Sequence, residues 1–305
     1  MAYALDLRLP LAAELCRAVR EQCALARACL RRRGAQLPEA VHNARRAVRR
    51  ARAVLLLARP ALAAEAYFQA LGPWREAGRL LTALRDAESA IEALQRLQQE
   101  VPELLTPAAS ARLMRGLRQR RDRLERAAAP DLDAAYAALG VAQRGIPAWT
   151  AGVDAESLWR GLRQGYNRAA RAGRAAAGAA PDAAAWHEFR QRVRAHWLQV
   201  DVLRPLWPAV LGAHAQEARR LSQLLGHERD LLLLDQRVAA LRGELAADCP
   251  REPARARIAQ LRERLRQRGV ALAAVLYSEG GRDFARRMRR YAQAGPPPAR
   301  TDDDD

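Results

Sequence analysis

Two short stretches of the chain place a histidine among closely spaced arginines, a combination suited to holding a multiply charged anion. The first stretch runs from His42 to Arg52 and holds five arginines in eleven residues. Arginine stays protonated, and its planar guanidinium can donate two parallel hydrogen bonds to a phosphate or carboxylate group. In a helix turning about 100° per residue, all five arginines lie within about 80° of His42. They are Arg45, Arg46, Arg49, Arg50 and Arg52.

The opposite side of this predicted helix is apolar, because Val41, Ala44 and Val48 lie there together. Such a helix packs its apolar side in a core and leaves its cationic side to face a ligand. The alternative for any single arginine is a solvated helix face. For His42, the alternative is a structural histidine bonded to a buried carbonyl. As a ligand contact, a histidine can donate one N–H when neutral or add charge when protonated, so we expect binding to tighten towards about pH 6.

The second stretch repeats the first about 145 residues later. Both match the pattern His-x-x-Arg-x-x-Val-Arg, and the second copy consists of His187, Arg190, Val193 and Arg194. Further matches follow downstream at a spacing of 144 residues. They pair Arg75 with Arg219, and Arg85-Asp86 with Arg229-Asp230. Because order and spacing agree, we infer an internal duplication in which the two His/Arg helices converge on one polyanion.

The acidic residues of the repeat have two interpretations. Asp86 and Asp230 each follow an arginine, so we interpret them as supports that pair with and orient the ligand-binding arginines. The other interpretation is a metal site, but no convincing set of further ligands shares their face. We therefore predict no metal and no cofactor. His196 falls on the apolar side of its helix, and we predict a core or interface histidine there.

Composition restricts both the fold and the partner. Ala, Leu, Arg, Glu and Gln dominate, and no segment alternates with period two, so the 305-residue chain is predicted to be all-α. All 52 basic residues are arginine, and the net charge is +18. A surplus of this size implies an anionic partner, such as nucleic acid, acidic lipid or an inorganic polyanion.

The predicted architecture is two pseudo-symmetric antiparallel helical bundles. We assign residues 1–148 to the first bundle and 149–294 to the second, with a linker near 145–152. Residues 295–305 form an acidic tail that we expect to be disordered, and its aspartates could compete weakly for the basic surface. The four cysteines lack metal-binding spacing and fit small buried apolar residues. No signal peptide or membrane span is predicted, so we expect a soluble, cytoplasmic protein.

The ordered set of motifs resembles the CHAD family, the conserved histidine α-helical domains. The similarity runs from about residue 8 to residue 291. It depends on His42 to Arg52, Arg85-Asp86, His187 to Arg194, and Leu225 to Asp230. This resemblance implies two helical bundles with a basic surface that binds inorganic polyphosphate. It also implies a Tyr/Arg-rich helix opening the second half, represented here by Tyr166, Arg163, Arg168 and Arg171.

Some positions depart from the family pattern. Trp197 and Leu198 stand where Arg-Tyr is usual, Glu88 replaces an aspartate, and Arg194 replaces a lysine. We therefore expect the first half to carry the larger share of binding. The predicted polyphosphate contacts are His42, Arg45, Arg46, Arg49, Arg50, Arg52, Arg75, Arg85, Tyr166, Arg168, Arg171, His187, Arg190, Arg194, Arg219, Arg220 and Arg229.

The predicted function is non-enzymatic binding of inorganic polyphosphate, with association with polyphosphate granules or with other polyphosphate-associated proteins. The sequence contains no P-loop, no HExxH motif and no recognisable nucleophile–base arrangement. The main alternative is a basic helical protein that binds nucleic acid; otherwise we expect nucleic acid only as a competing polyanion. Membrane association through basic amphipathic helices is a weaker alternative, because the apolar faces of both His/Arg helices are needed for the cores.

Overall fold

A computed structural model describes residues 3–32, 34–102, 105–178, 181–239 and 251–295. Within these ranges the chain forms eleven α-helices and no strand, which confirms the predicted all-α class. Cys249 and nearly all of the predicted acidic tail lie outside them. The first six helices are α1 (Leu11–Leu30), α2 (Leu37–Ala58), α3 (Ala64–Leu80), α4 (Thr82–Glu100), α5 (Pro107–Arg126) and α6 (Ala129–Thr150). The remaining five are α7 (Ala155–Ala176), α8 (Ala183–Val202), α9 (Pro208–Ala239), α10 (Arg251–Leu276) and α11 (Gly281–Ala294).

The order of the helices reflects the sequence repeat. Helices α1, α2, α3 and α5 begin 144 to 146 residues before α7, α8, α9 and α10. The His/Arg helices of the two copies are therefore α2 and α8. Asp182 caps the start of α8, where its Oδ1 accepts a hydrogen bond from the Ala185 amide at 2.8 Å. The copies differ in one respect: α9 is continuous, whereas its counterpart is broken at Leu81 into α3 and α4.

Two hydrophobic cores hold the helices together. The larger core takes side chains from both sequence halves, and Trp74, Tyr166, Phe189 and Phe284 are its largest fully buried members. The smaller core joins α4 and α5 to the distal half of α9 and to α10. We call these four segments the arm. The boundary predicted at residue 148 remains a prediction.

Two α-helices continue through an internal proline, and one of them runs into the linker predicted at 145–152. Helix α3 continues through Gly72-Pro73, and α6 continues through Pro147 to Thr150. Proline inside a helix removes one backbone hydrogen bond and crowds the preceding turn. Here buried apolar side chains continue across each proline on one face, so tertiary packing outweighs that cost. The linker expected at 145–152 is thus confined to residues 151–154. No helix in the described ranges is long and apolar enough to cross a membrane.

Glycines allow α7 to approach α2 and α8 closely. A Cβ atom placed on Gly161 would lie 2.0 Å from the carbonyl oxygen of Leu57 on α2. A Cβ atom on Gly165 would lie 1.9 Å from Oε1 of Gln199 on α8. The Leu57 oxygen belongs to the backbone, so a side chain at Gly161 would force the helices apart. This crossing fixes α2 against the second half of the chain.

We predict that Gly161→Ala destabilises the protein by about 1–3 kcal/mol or more, because an added methyl group overpacks the crossing. The matched control is Gly116→Ala in the middle of α5, where an added Cβ would meet no atom within 4 Å. There we expect stabilisation by about 0.5–1 kcal/mol, since alanine favours the helix over glycine. Urea denaturation measures both changes. If Gly161→Ala and the wild type unfold at the same urea concentration, the helices accommodate a methyl group at their crossing, and the prediction is wrong.

Candidate anion-binding cavity

A cavity of about 1260 Å³ opens between α2, α8 and the arm. Its described lining contains ten arginines but only three carboxylates, so its walls carry a large excess of positive charge. The carboxylates belong to Glu92, Asp201 and Asp230. The arginines are Arg46, Arg49, Arg50, Arg85, Arg96, Arg194, Arg204, Arg219, Arg220 and Arg268.

Helix α2 forms one wall because its two faces differ in polarity. Val41, Ala44 and Val48 are at most 2% exposed and anchor the helix in the larger core. Four side chains on the other face line the cavity. They are His42, Arg46, Arg49 and Arg50. Their separations of three and four residues put neighbouring side chains about 5–6 Å apart, close enough to contact successive phosphates.

Helix α8 forms the adjacent wall in the same way. Phe189 and Val193 are fully buried in the larger core, and Arg194 faces the cavity. Further along α8, Trp197 and Asp201 also line it. The guanidinium of Arg219 lies 5.9 Å above the centre of the Trp197 ring. The second His/Arg helix therefore contributes fewer cations to the cavity than the first, and α9 supplies others.

The arm closes the cavity and carries its internal counter-charges. Arg85 on α4 donates two hydrogen bonds of 2.8 Å to the carboxylate of Glu92. Arg96 lies 3.8 Å from the carboxylate of Asp230 on α9. Burial raises the pKa of Asp230, and the nearby guanidinium of Arg190 opposes this shift. The contact between Arg96 and Asp230 joins α4 to α9 beside the cavity.

Arg49 and Arg194 are the least compensated charges in the cavity. No carboxylate among the described residues pairs with either side chain. Burial, reinforced by neighbouring arginines, lowers the pKa of Arg49 to about 9. The same causes, burial first and then Arg190 and Arg49, hold the pKa of Arg194 well below its usual value. Keeping both guanidinium groups protonated therefore costs free energy until an anion enters the cavity.

The surroundings of His42 favour its neutral form in the free protein. Burial, followed by the charges of Arg85 and Arg49, lowers its pKa below the usual 6.5. His227 of α9 lies in the same lining, and burial lowers its pKa as well, although the carboxylate of Glu100 opposes the shift. An anion would reverse the unfavourable charge environment at both imidazoles.

The structure places eight of the predicted contact residues together in the cavity lining. They are His42, Arg46, Arg49, Arg50, Arg85, Arg194, Arg219 and Arg220. Arg45 points elsewhere, since its Nη1 donates to the Gly78 carbonyl at 2.6 Å and to Thr82 Oγ1 at 3.0 Å. It thus bridges α2 to the break between α3 and α4.

Other predicted contacts lie in two smaller clefts or outside any cleft. Arg168 and Arg171 join Arg59 in a cleft of about 370 Å³ beside α7. His187, Arg190 and Arg229 line a cleft of about 10 Å³ on the other side of α8. Arg75 is exposed, and Arg52 is partly buried close enough to Arg75 for the two charges to repel.

Tyr166 and His196 belong to the larger core. The Tyr166 ring stacks on Phe284 with centroids 4.8 Å apart, and its hydroxyl donates to the Glu279 carbonyl at 3.0 Å. Burial raises the pKa of Tyr166 to about 12. His196 is fully buried, with its Nε2 3.2 Å from Nε2 of His214, which confirms the predicted core histidine. Of the two aspartates predicted to orient arginines, Asp230 lines the cavity, whereas Asp86 is exposed.

Sequence reasoning missed several lining residues. Arg96 follows Arg85 by eleven residues, which returns it to the same face of α4, so helical periodicity could have found it. His227 lies inside the motif from Leu225 to Asp230 but was not singled out. Arg204 and Arg268 lie outside the repeated motifs, and only the packing of the helices brings them to the cavity.

Comparison with known proteins agrees with this architecture. The chain superposes on the crystal structure of the CHAD domain from the plant Ricinus communis with a TM-score of 0.62, over 96% of this chain and 95% of that one. The two sequences are 18% identical, so this likeness concerns the fold alone. No curated protein matches the chain. The family model for the CHAD domain matches residues 14–239, which is most of the chain. The protein belongs to the CHAD domain family.

Proposed function

We propose that the cavity binds inorganic polyphosphate. The observation that carries the proposal is the pair Arg49 and Arg194, two partly buried arginines on facing helices with no carboxylate partner among the described residues. Such groups are unfavourable in a free protein, and a multiply charged anion would relieve them. The polyphosphate binding implied by CHAD family membership supports the same ligand.

The geometry favours a linear polyanion over a compact anion. A cavity of about 1260 Å³ with ten lining arginines exceeds what one phosphate group could occupy or neutralise. Polyphosphate carries charge on every unit and has no bases, so it needs guanidinium groups spaced along a surface and no base-specific contacts. Association with polyphosphate granules and presentation of the polymer to other proteins are extensions of this proposal. Nothing in the lining requires catalysis.

Nucleic acid is the competing ligand to test. Trp197 is the one tryptophan, tyrosine or phenylalanine in the described lining, and stacking on aromatic rings is a common way to hold single-stranded bases. However, the guanidinium of Arg219 already lies over this ring. Duplex DNA presents its phosphates on a rigid cylinder, which cannot enter a cavity between packed helices.

Competition binding at physiological salt tests the proposal directly. We expect unlabelled long-chain polyphosphate to displace labelled polyphosphate, whereas RNA, duplex DNA and anionic vesicles displace little at equal phosphate concentration. Ionic screening weakens the general attraction of the +18 chain for all four competitors, so specific contacts decide the ranking. Displacement by RNA as effective as that by polyphosphate would overturn the assignment. If that RNA displacement were lost in Trp197→Leu, base stacking would explain it.

Arg49→Gln and Arg194→Gln should each weaken polyphosphate binding roughly tenfold to a hundredfold, because each removes a charge-assisted hydrogen bond. Neither substitution should lower the melting temperature of the free protein, because the guanidinium that it removes has no carboxylate partner there.

Arg45→Gln is the matched control on the same helix. It should lower stability by about 1–3 kcal/mol, because the Gly78 carbonyl and the Thr82 hydroxyl lose their donor. Calorimetry with and without ligand measures both effects. A destabilised Arg49→Gln protein would make Arg49 structural.

Polyphosphate affinity should rise as the pH falls from about 8 to 6. The pKa of His42 is lowered in the free protein, and a bound anion raises it, so binding takes up a proton. Affinity therefore increases as the pH falls through the pKa of the bound state and levels off below the pKa of the free state. His42→Gln should flatten this dependence, and adding His227→Gln should remove most of the remainder. His187→Gln, in a different cleft, should leave the slope unchanged. If the affinity of the wild-type protein does not change across this pH range, neither His42 nor His227 contacts the ligand.

A further inference from the structure

Helix α10 separates its arginines into a neutralised flank and an unpaired flank. On the flank facing α9, Arg255 donates to Asp235 at 2.8 Å. On the same flank, Arg262 and Arg266 approach the buried carboxylate of Glu228 to 2.8 and 2.9 Å. These three guanidinium groups therefore have counter-charges supplied by α9.

The other flank carries Arg257, Arg264 and Arg268. In an α-helix these positions lie within about 40° of one another, so they form one row along α10. Arg264 and Arg268 are exposed, and Arg257 is half-buried and donates a hydrogen bond to the Gln260 side chain. No carboxylate in the described part of the chain pairs with any of the three. The two glutamates of α10, Glu252 and Glu263, fall on the opposite side of the helix by the same geometry.

The row begins at the cavity. Arg268 is part of the cavity lining. Arg264 lies about 6 Å farther along the axis of α10, and Arg257 about 16 Å farther, at a rise of about 1.5 Å per residue. Arg264 and Arg268 are separated by less than the Debye length of about 8 Å at physiological salt, so their charges repel each other in water.

We propose that the polyphosphate chain leaves the cavity past Arg268 and continues along Arg264 and Arg257 on the outer face of the arm. This inference depends on the proposed function and deepens it, because it makes the ligand a chain longer than the cavity. Chains that end inside the cavity use its lining alone, whereas longer chains gain the contacts of the row. Affinity therefore increases once the polyphosphate chain is long enough to reach the row.

The test compares chain lengths in two charge-reversed proteins. Arg257→Glu/Arg264→Glu alters the row. The matched control, Arg20→Glu/Arg144→Glu, makes the same change in net charge at exposed positions of α1 and α6, which contribute no described residue to the cavity lining. We expect the row variant to lose roughly tenfold affinity for long-chain polyphosphate and the control about twofold, the latter from long-range attraction alone. For tripolyphosphate, both variants should lose the same small factor.

Equal losses for long chains in both variants would overturn the inference, as would a row variant that loses as much for tripolyphosphate as for long chains. Melting curves check folding. Arg257→Gln/Arg264→Gln repeats the comparison without reversed charge and should show the same dependence on length with a smaller loss. Failure of the proposed function is distinguishable, because the wild-type protein would then bind neither ligand in preference to RNA.

Discussion

The repulsion between arginines on α2 and α8 is the constraint on which the rest of the structure depends. The charge of Arg49 helps to lower the pKa of Arg194, and neither arginine has a carboxylate partner among the described residues. What brings these helices together is burial of their other faces, on which Val48 and Val193 are at most 1% exposed. At about 1.5 kcal/mol or more for each buried valine, packing of this kind can hold a repulsive surface in place. The free protein thus holds these positive charges in place, and under the proposed function a bound polyanion would stabilise it by mass action.

The placement of acidic residues shows how that repulsion is limited. Arg85 is neutralised by Glu92, and Arg96 lies beside Asp230, so the arm carries its own counter-charges where it meets the cavity. On α10, the carboxylates of α9 neutralise only the flank against which they pack. On α10, the arginines that face α9 are therefore paired, whereas Arg49 and Arg194, which face the cavity, have no carboxylate partner among the described residues.

Helical periodicity was enough to predict the cationic faces of α2 and α8, because each is defined by residues within a few turns of one another. The fate of individual side chains was not predictable in this way. Arg45 and Arg49 occupy neighbouring positions on one face, yet the Arg45 guanidinium donates to the Gly78 carbonyl beside the break between α3 and α4. Tyr166 is drawn into the core by Phe284, which lies more than a hundred residues away. Such outcomes depend on long-range packing, which local patterns do not record.

The break in the first copy explains why the two halves contribute differently. In the first half, the chain bends at Leu81, which exposes the Gly78 carbonyl to Arg45 and turns α4 so that Arg85 and Arg96 face the cavity. In the second half, α9 is continuous, so Arg190, the counterpart of Arg45, has no helix break to bridge and lies in the small cleft on the other side of α8. Helix α9 carries Arg219 and Arg220 past the cavity and continues into the arm. The duplication therefore supplied two similar cationic helices, and one local break joined Arg45 of the first copy to its neighbouring helices and brought Arg85 and Arg96 of α4 to the cavity.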